Sequence, residues 1–409
     1  MTGKKKRHPG PPRAKKTRGG NTSSSKKQQP PKKAQPAVSS AETRDDPGSE
    51  QRLRTSDEDK KHHQRVLDLF RHAFADALTS PNLTATLQSV KQALYERDFA
   101  RAFGDPEHLA VYAARWSPTR ALCYASVLEG IKEHLEPLSP SLLEGQDSDE
   151  DEDEDENENN EEAASTTHGT NPQTLKLISI GGGAAELVAL GAFLNNQPAP
   201  IPASMTLVDS GPWATVVSQL GTAITTPPPL SKYASAAVKL TNAAMVSPEH
   251  FTSTFLQQDA LALDKANLAS LIGPTPLLIT ILFTLNELFT TGGIGKTTAF
   301  LLNLTAAFPF GSLLLVVDSP GSYSEASIGK EAKRYPMQWL LDRIMLGTRA
   351  EPVNGRRWVK VESQDSVWFR LASGGLDYPI PLEDMRYQMH LYRVEDASVE
   401  EEDEEEDDD

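Results

Sequence analysis

The first half of the chain shows the hydrophobic spacing of amphipathic helices. From about residue 57 to 103, apolar residues recur three and four positions apart, and Ser80-Pro81 interrupts the pattern. A further helix is expected at Pro118, because proline suits the first turn of a helix. The pattern predicts a small helical region over residues 57–144.

The second half has a different rhythm, in which short apolar runs alternate with helical stretches. The runs are LKLISI (175–180), TLVD (206–209), FTSTFLQQ (251–258), PLLITILFTL (276–285) and SLLLVVD (312–318). Near-continuous apolar strands separated by helices indicate a parallel sheet that is buried on both faces. The fold class is therefore α/β.

The pattern changes after the fifth run. A helix around YPMQWLLDRIML is followed by three strand-like segments, WVKVES, VWFRL and RYQMHLYRV, with turn residues between them. We expect these segments to add antiparallel strands at one edge of the sheet. The α/β domain should extend over residues 173–394.

Charge is concentrated in three segments. Residues 1–33 hold twelve Lys or Arg and no acid, whereas residues 147–162 and 395–409 hold twelve acids each. Segments of this composition bury too little apolar surface to fold. We expect a disordered basic arm (1–56), an acidic linker (145–172) and an acidic tail, around a folded part that is close to neutral.

The basic arm suits nuclear import or contact with phosphate backbones, and a merely solubilising tail is the alternative. Neither a long apolar run nor a leader segment is present, so we expect no membrane span and no signal peptide. The single cysteine, Cys123, excludes a disulfide framework and a cysteine metal cluster, and it fits a reducing compartment. No metal site is predicted.

A glycine turn follows the first strand. In open sheets of this class the ligand binds beyond the carboxyl ends of the strands. Gly181, Gly182 and Gly183 allow the backbone to approach a ligand before a helix begins there. Glu186 occupies the position where a dinucleotide motif has a small residue, which favours a cofactor without phosphates.

Acidic residues end the next two strands. Asp209, with Ser210, stands where an acid can accept both hydroxyls of a ribose, and a cap for the following helix is the alternative. Asp259 can accept from the amine of an adenine beside Ala260, and it too can be a helix cap.

The segment TTGGIGKTTAF (290–300) imitates a phosphate loop. The motif requires glycine where this chain has Thr290 or Thr291, and NELFT separates the preceding strand from the glycines. We therefore expect a loop at Gly292, Gly293 and Gly295 before a helix. A nucleotide hydrolase using residues 292–297 remains the alternative.

Four stretches, YAARWSPTRALCYAS, ISIGGGAAELVALGAFL, ILFTLNELFT and LEDMRYQMHLYR, together resemble the fungal family of 25S ribosomal RNA uridine-N(3) methyltransferases over about residues 60–393. The resemblance implies a Rossmann-like, S-adenosylmethionine-dependent enzyme with a mostly parallel seven-stranded sheet. It implies methylation of a uracil ring nitrogen in large-subunit ribosomal RNA, or in a pre-ribosome, during ribosome biogenesis. The expected location is the nucleus or nucleolus, with the cytoplasm as an alternative, and the acidic tails could bind basic ribosomal proteins.

The resemblance also assigns roles to residues. Gly181, Gly183, Asp209 and Asp259 would hold the cofactor, and Asn286 would lie beside the methyl group. Ser179 departs from common methyltransferases, where an acid often begins the glycine motif.

The chemistry suits a ring nitrogen, which only has to lose its proton as the methyl group arrives. Glu287 is the candidate base, although it could instead cap the following helix or form a salt bridge. Cys123 lies far from every strand end and is expected to be a buried, inert thiol. A catalytically inactive assembly scaffold is the alternative function.

The Watson–Crick edge of the base reacts, so the base must be unpaired or flipped out. Trp213, Tyr233 and Trp368 are candidates to stack on it. The WSPTR turn, with Arg115, Trp116 and Arg120, is a candidate RNA contact, and a structural helix junction is the alternative.

Overall fold

The structure is a computed structural model that describes residues 56–139, 173–321, 323–328, 331–347, 353–372 and 374–398. The predicted basic arm, the acidic linker and most of the acidic tail therefore lie outside the described residues. The first two residues of the predicted tail, up to Asp396, belong to the last strand.

In the part of the chain that the structure describes, seven α-helices precede the sheet: α1 (Asp57–Ala73), α2 (Ala75–Thr79), α3 (Leu83–Tyr95), α4 (Phe99–Phe103), α5 (Pro106–Arg115), α6 (Ser117–Gly130) and α7 (Lys132–Leu135). A capping box between Ser56 and Asp59 begins α1. Asp105 caps α5 through the amides of Glu107 and His108. Pro118 lies in the first turn of α6, as the sequence predicts.

The main sheet has seven strands in the order β3-β2-β1-β4-β5-β9-β8. Its strands are β1 (Leu175–Ile180), β2 (Ala203–Asp209), β3 (Phe251–Gln257), β4 (Leu278–Leu282), β5 (Leu313–Asp318), β8 (Arg356–Phe369) and β9 (Met385–Asp396). The first five are parallel, whereas β9 pairs antiparallel with both β5 and β8. This topology confirms the predicted mostly parallel seven-stranded sheet.

The later strands differ from expectation in one respect, and one element was missed. WVKVES and VWFRL belong to one long strand, β8. Its pairing with β9 shifts register at two places, which is typical of β-bulges. A separate two-stranded hairpin, β6 (Tyr323–Ile328) and β7 (Glu331–Pro336), follows β5 and was not predicted.

Side chains of successive strand residues point to opposite faces of the sheet and pack into two hydrophobic cores, one on each face. In β1, for example, Leu177 packs into the first core and Ile178 into the second. The helices of the sheet region are α8 (Ala184–Asn195), α9 (Ala214–Thr225), α10 (Ala236–Leu240), α11 (Lys265–Ile272), α12 (Leu285–Ala307) and α13 (Met337–Met345). Buried residues of α8 and α9 belong to the first core, and those of α11, α12 and α13 to the second.

The N-terminal helices share the first core with the sheet. Phe70 of α1 and Tyr124 of α6 are fully buried in the same cluster as Leu187 of α8. Helix α6 packs along α8 and also reaches β9. The helices therefore extend the layer that covers one face of the sheet.

The glycines at 292–295 form a break of one residue rather than the expected loop; the helical segment that follows the break was expected. They lie inside α12, which begins at Leu285 and is interrupted at a kink where Gly293 has φ 71°. A phosphate loop emerges directly from a strand, but seven residues of α12 precede Gly292. The local geometry therefore gives no support to a nucleotide hydrolase.

Candidate cofactor and active site

The strand order aligns the predicted site residues along one edge of the sheet. Moving from β3 through β2 and β1 to β4, the carboxyl ends carry Asp259, Asp209, Gly181 and Glu287. A cleft of about 970 Å³ follows this edge and is lined by all four residues, together with Ser210 and Ala260. Seven of the nine predicted site residues line the cleft or the side pocket described next.

A side pocket of about 50 Å³ adjoins this cleft. Gly183 lines the side pocket, and Gly181, Asp209, Thr284 and Glu287 line both cavities. Gly182 and Asn286 line neither.

The glycine turn is required by close packing at the end of β1. Gly181 has φ 70°, and a Cβ atom added to it would lie 2.3 Å from the Thr284 side chain. At Gly183 the backbone N–H donates to Glu186 Oε2 at 2.9 Å, so Glu186 caps α8 from within. Gly182 instead packs on Ser179, whose Oγ would lie 2.4 Å from an added Cβ.

We predict that Gly181→Ala lowers the free energy of unfolding by about 2 kcal/mol or more. The positive φ at this position is unfavourable for alanine, and the new Cβ atom would collide with the Thr284 side chain. Gly295→Ala is the matched control, because it lies in α12 with no atom within 4 Å of an added Cβ. This control should stabilise the protein by about 0.5–1 kcal/mol. Urea unfolding of both variants tests the pair, and equal effects would contradict it.

Asp209 is held in place by its own turn. Its Oδ1 accepts from the Gly211 amide at 2.6 Å, and its carboxylate also accepts from the Trp213 indole. Burial raises the pKa of Asp209 to about 6, against the opposing effect of these two hydrogen bonds. Helix α9 begins at Ala214 without a side-chain cap, so the helix-cap alternative for this strand end was wrong.

Asp259 lies at the far end of the cleft. Its Oδ1 accepts from the Leu261 amide at 2.9 Å and caps the 3-10 turn Ala260–Ala262. The cap alternative is therefore realised, and the same carboxylate also lines the cleft.

The segment after β4 is conformationally strained. Phe283 has φ 54°, which is unusual for a residue with a side chain, and its amide donates to Val317 at 2.7 Å. The Asn286 amide donates to Asp318 Oδ2 at 3.2 Å. Among the described residues, the buried Asn286 Oδ1 has no hydrogen-bond partner. An unsatisfied buried oxygen is costly to the stability of the fold.

Glu287 lines both cavities. Burial raises the pKa of Glu287 to about 8; nearby Arg120 opposes the shift, and Asp209 and Asp318 add to it. Within the described part of the chain its carboxylate forms neither a cap for α12 nor a salt bridge, in contrast to the alternative considered from sequence. A carboxylate with this pKa can exchange a proton near neutral pH.

Arg120 occupies a place that the sequence did not predict. It lies in the first turn of α6 and lines the side pocket beside Tyr112 and Phe283, at the edge of the sheet rather than on an outer surface. The WSPTR turn was the only signal for it, with an RNA contact and a structural helix junction as the two alternatives. The structure has a helix junction there, since α5 ends at Arg115 and α6 begins at Ser117.

Cys123 is fully buried, and burial raises its thiol pKa to about 12. This confirms the expectation of an inert thiol. Over the described ranges, no group of three or more His, Cys, Asp or Glu side chains is placed to bind a metal ion. No described helix is long and apolar enough to cross a membrane.

The three aromatic candidates for base stacking differ in exposure. Trp213 is buried against Phe103 and Tyr112. Tyr233 is 83% exposed and Trp368 is 51% exposed. Only the last two can offer a free ring face to a partner.

Together, the parallel strand order, the glycine turn and the strand-end acids define a nucleoside-cofactor site of the Rossmann-like methyltransferase class. A family model described as "Putative SAM-dependent methyltransferase" matches residues 70–393. The chain belongs to this family, and S-adenosylmethionine is its cofactor.

A relative and two solved structures are similar to the chain. The 25S rRNA (uridine(2843)-N(3))-methyltransferase of Saccharomyces cerevisiae is 31% identical over 80% of this chain and 85% of that protein. An O-methyltransferase family protein from Burkholderia thailandensis has 10% identity over 78% of this chain and 74% of its own, with a TM-score of 0.33. The N-methyltransferase NodS from Bradyrhizobium japonicum WM9 has 14% identity over 54% and 86%, with a TM-score of 0.26.

The residues present fit this cofactor. Gly181 lines the cleft and Gly183 lines the adjoining side pocket, so backbone without a side chain faces both cavities, and Asp209 lines the cleft as well. About 970 Å³ lies within the usual range for small-molecule sites.

Proposed function

We propose that the protein methylates the N3 nitrogen of a uracil in large-subunit ribosomal RNA during ribosome assembly. The relative of 31% identity with this named activity supports the substrate. The observation that carries the proposal is Glu287, a carboxylate of raised pKa that shares one cleft with Asp209 and the glycine turn. Such an arrangement suits removal of a weakly acidic ring proton beside a bound methyl donor.

The proposed orientation of the cofactor follows the order of the strand-end residues along the cleft. Asp209 would accept from the ribose hydroxyls, and Asp259 with Ala260 would contact the adenine. Gly181, Gly182 and Gly183 would bring backbone close to the nucleoside, and Ser210 would extend the contact along β2. When bound, S-adenosylmethionine supplies an electrophilic methyl group.

Glu287 acts on the uracil in this proposal. Glu287 takes the N3 proton as the methyl group is transferred, because a base with a pKa near the working pH is efficient at proton removal. Asn286 acts through its neighbour in this proposal: its backbone amide donates to Asp318 Oδ2, which fixes the start of α12 and would position Glu287.

Trp368 is the stacking candidate best placed to meet RNA. It pairs with Arg386 where β8 and β9 extend beyond the carboxyl end of β5, on the same edge of the sheet as the cleft. The guanidinium groups of Arg370 and Arg386 lie 4.9 and 5.7 Å from its ring centroid. An exposed ring flanked by two cations suits an unpaired base and its phosphates.

We predict that Trp368→Ala weakens binding of a single-stranded ribosomal RNA fragment by about tenfold, because it removes one stacking platform. Tyr95→Ala is the control, since Tyr95 is 85% exposed on α3 and no ring contact is seen for it within the described ranges. Fluorescence anisotropy at fixed salt measures both variants. Equal affinities for the wild type and Trp368→Ala would contradict the role of this ring.

The remaining parts of the chain are assigned accordingly. The basic arm would assist nuclear import or contact RNA, and the acidic segments would bind basic ribosomal proteins. We place the activity in the nucleus or nucleolus, where ribosome assembly begins. The helical region (57–144) and the domain 173–394 remain our proposed division of the folded chain.

Mapping of modified nucleotides tests the function. Large-subunit RNA from cells lacking the protein should lose one 3-methyluridine, as measured by nuclease digestion and mass spectrometry. Wild-type protein should restore the nucleotide, whereas Asp209→Ala should not. An unchanged content of 3-methyluridine would contradict the proposal and favour the inactive scaffold.

A further inference from the structure

Arg120 is a half-buried cation at the edge of the cofactor site, and the proposed function gives it no role. Its guanidinium donates to the Tyr112 hydroxyl and lies 5.1 Å from the Phe283 ring centroid. Both neighbours belong to the wall of the side pocket, between α5 and the end of β4. The charge is therefore directed towards the cofactor end of the sheet.

Its hydrogen-bonding capacity is mostly unused. A guanidinium has five N–H donors. Within the described ranges, one bond to Tyr112 is seen and no carboxylate lies close enough for an ion pair. Glu186 and Glu287 act on Arg120 only through space, and Glu186 Oε2 is already engaged by the Gly183 amide.

An arginine in such a position calls for an anion. Burial of a charge is expensive unless the charge is paired and hydrogen-bonded. A planar guanidinium with free donors matches a carboxylate, which can accept two parallel N–H bonds. The side pocket has about 50 Å³, which is room for a small group and not for a nucleoside.

The side pocket and the cleft adjoin at the ends of β1, β2 and β4. The side pocket shares Gly181, Asp209 and Glu287 with the cleft. With adenine towards β3 and ribose at Asp209, the amino-acid end of the ligand extends over Gly181 towards β4. That direction leads to Arg120.

We propose that Arg120 binds the α-carboxylate of the cofactor's amino-acid end. The helical region would then complete the cofactor site, which the strand-end loops alone do not. This inference rests on the placement of the ribose at Asp209 proposed above.

The test compares two ligands that differ in the amino-acid end. S-adenosylhomocysteine contains the α-carboxylate, whereas 5′-methylthioadenosine has the same nucleoside and sulfur without it. Arg120→Met keeps an unbranched, flexible side chain and removes the guanidinium group with its charge. Isothermal titration should show S-adenosylhomocysteine binding about 10- to 100-fold weaker to the variant, with 5′-methylthioadenosine changed less than threefold.

Arg71→Met is the matched control, because Arg71 of α1 pairs with Asp68 and Asp377 and does not line either cavity. It should bind both ligands like the wild type. An Arg120→Met variant that loses both ligands equally, or neither, overturns the proposal. Retained binding of 5′-methylthioadenosine shows that the variant is folded.

A separate variant distinguishes failure of the site from failure of this inference. Asp209→Ala should weaken both ligands, because both contain the ribose. If Asp209→Ala has no effect, the proposed cofactor placement is wrong. If only the Arg120→Met result fails, the placement stands and the carboxylate is bound elsewhere.

Discussion

Asp209→Ala should weaken S-adenosylhomocysteine binding by about 100-fold or more. The carboxylate is positioned by Gly211 and Trp213, so it can accept from both ribose hydroxyls without reorganising. Two hydrogen bonds to a charged group contribute about 3–6 kcal/mol together. Isothermal titration at pH 7.5 measures the loss.

The affinity should also depend on pH. Burial raises the pKa of Asp209 to about 6, so the ligand-free carboxylate is ionised at pH 7.5 and becomes protonated as the pH falls through 6. A protonated carboxyl offers fewer acceptors, and affinity should therefore decline below about pH 6. Asp209→Asn should bind weakly without this decline.

Asp57→Ala is the control for the charge change, because the Asp57 side chain is 90% exposed on α1. It should leave the affinity unchanged. If Asp209→Ala stays within threefold of the wild type, the ribose does not bind at β2.

Glu287→Gln should lower the rate of methyl transfer to RNA by about 10²- to 10⁴-fold, the usual contribution of a general base. The substitution keeps the shape of the side chain and removes its ability to take a proton. Single-turnover transfer of a radiolabelled methyl group to a ribosomal RNA fragment measures the chemical step. Because Gln retains the contacts, S-adenosylhomocysteine affinity should change less than threefold.

The pH profile supplies an independent readout. Burial raises the pKa of Glu287 to about 8, and only the ionised form can accept a proton. The wild-type rate should therefore rise as the pH increases through about 8, and the Glu287→Gln rate should lack that rise. Glu58→Gln, a surface change on α1, is the isosteric control. A variant as fast as the wild type would assign the proton to another group.

The sequence predicted the centre of the sheet well because β4 and β5 are nearly continuous apolar runs and are fully buried. The run at 175–180 coincides with β1, and Asp209 ends β2 as expected. The positions of the strand ends also predicted where the cleft lies, because the carboxyl ends of parallel strands meet at one edge of the sheet. The local sequence pattern was sufficient to predict strands that are buried on both faces, because such strands contain almost exclusively apolar residues.

Other features depend on contacts that no local pattern contains. The polar stretch at 363–366 resembles a turn, yet it is the exposed part of an edge strand. Gly293 has a non-helical backbone conformation and forms the kink between two helical segments, both of which contribute buried residues to the second core. Arg120 reaches the site only because α6 packs along α8, a contact between distant parts of the sequence.

The hydrophobic core shared by the early helices and the sheet has a consequence for synthesis of the chain. Phe70, Leu122 and Tyr124 are translated before any strand of the sheet, and they are fully covered only once α8 and β1 have formed. The nascent helices will therefore present apolar surface while the acidic segment at 147–162 is still being made. Strong negative charge that follows these helices in the chain should hinder association between nascent chains until the sheet has formed.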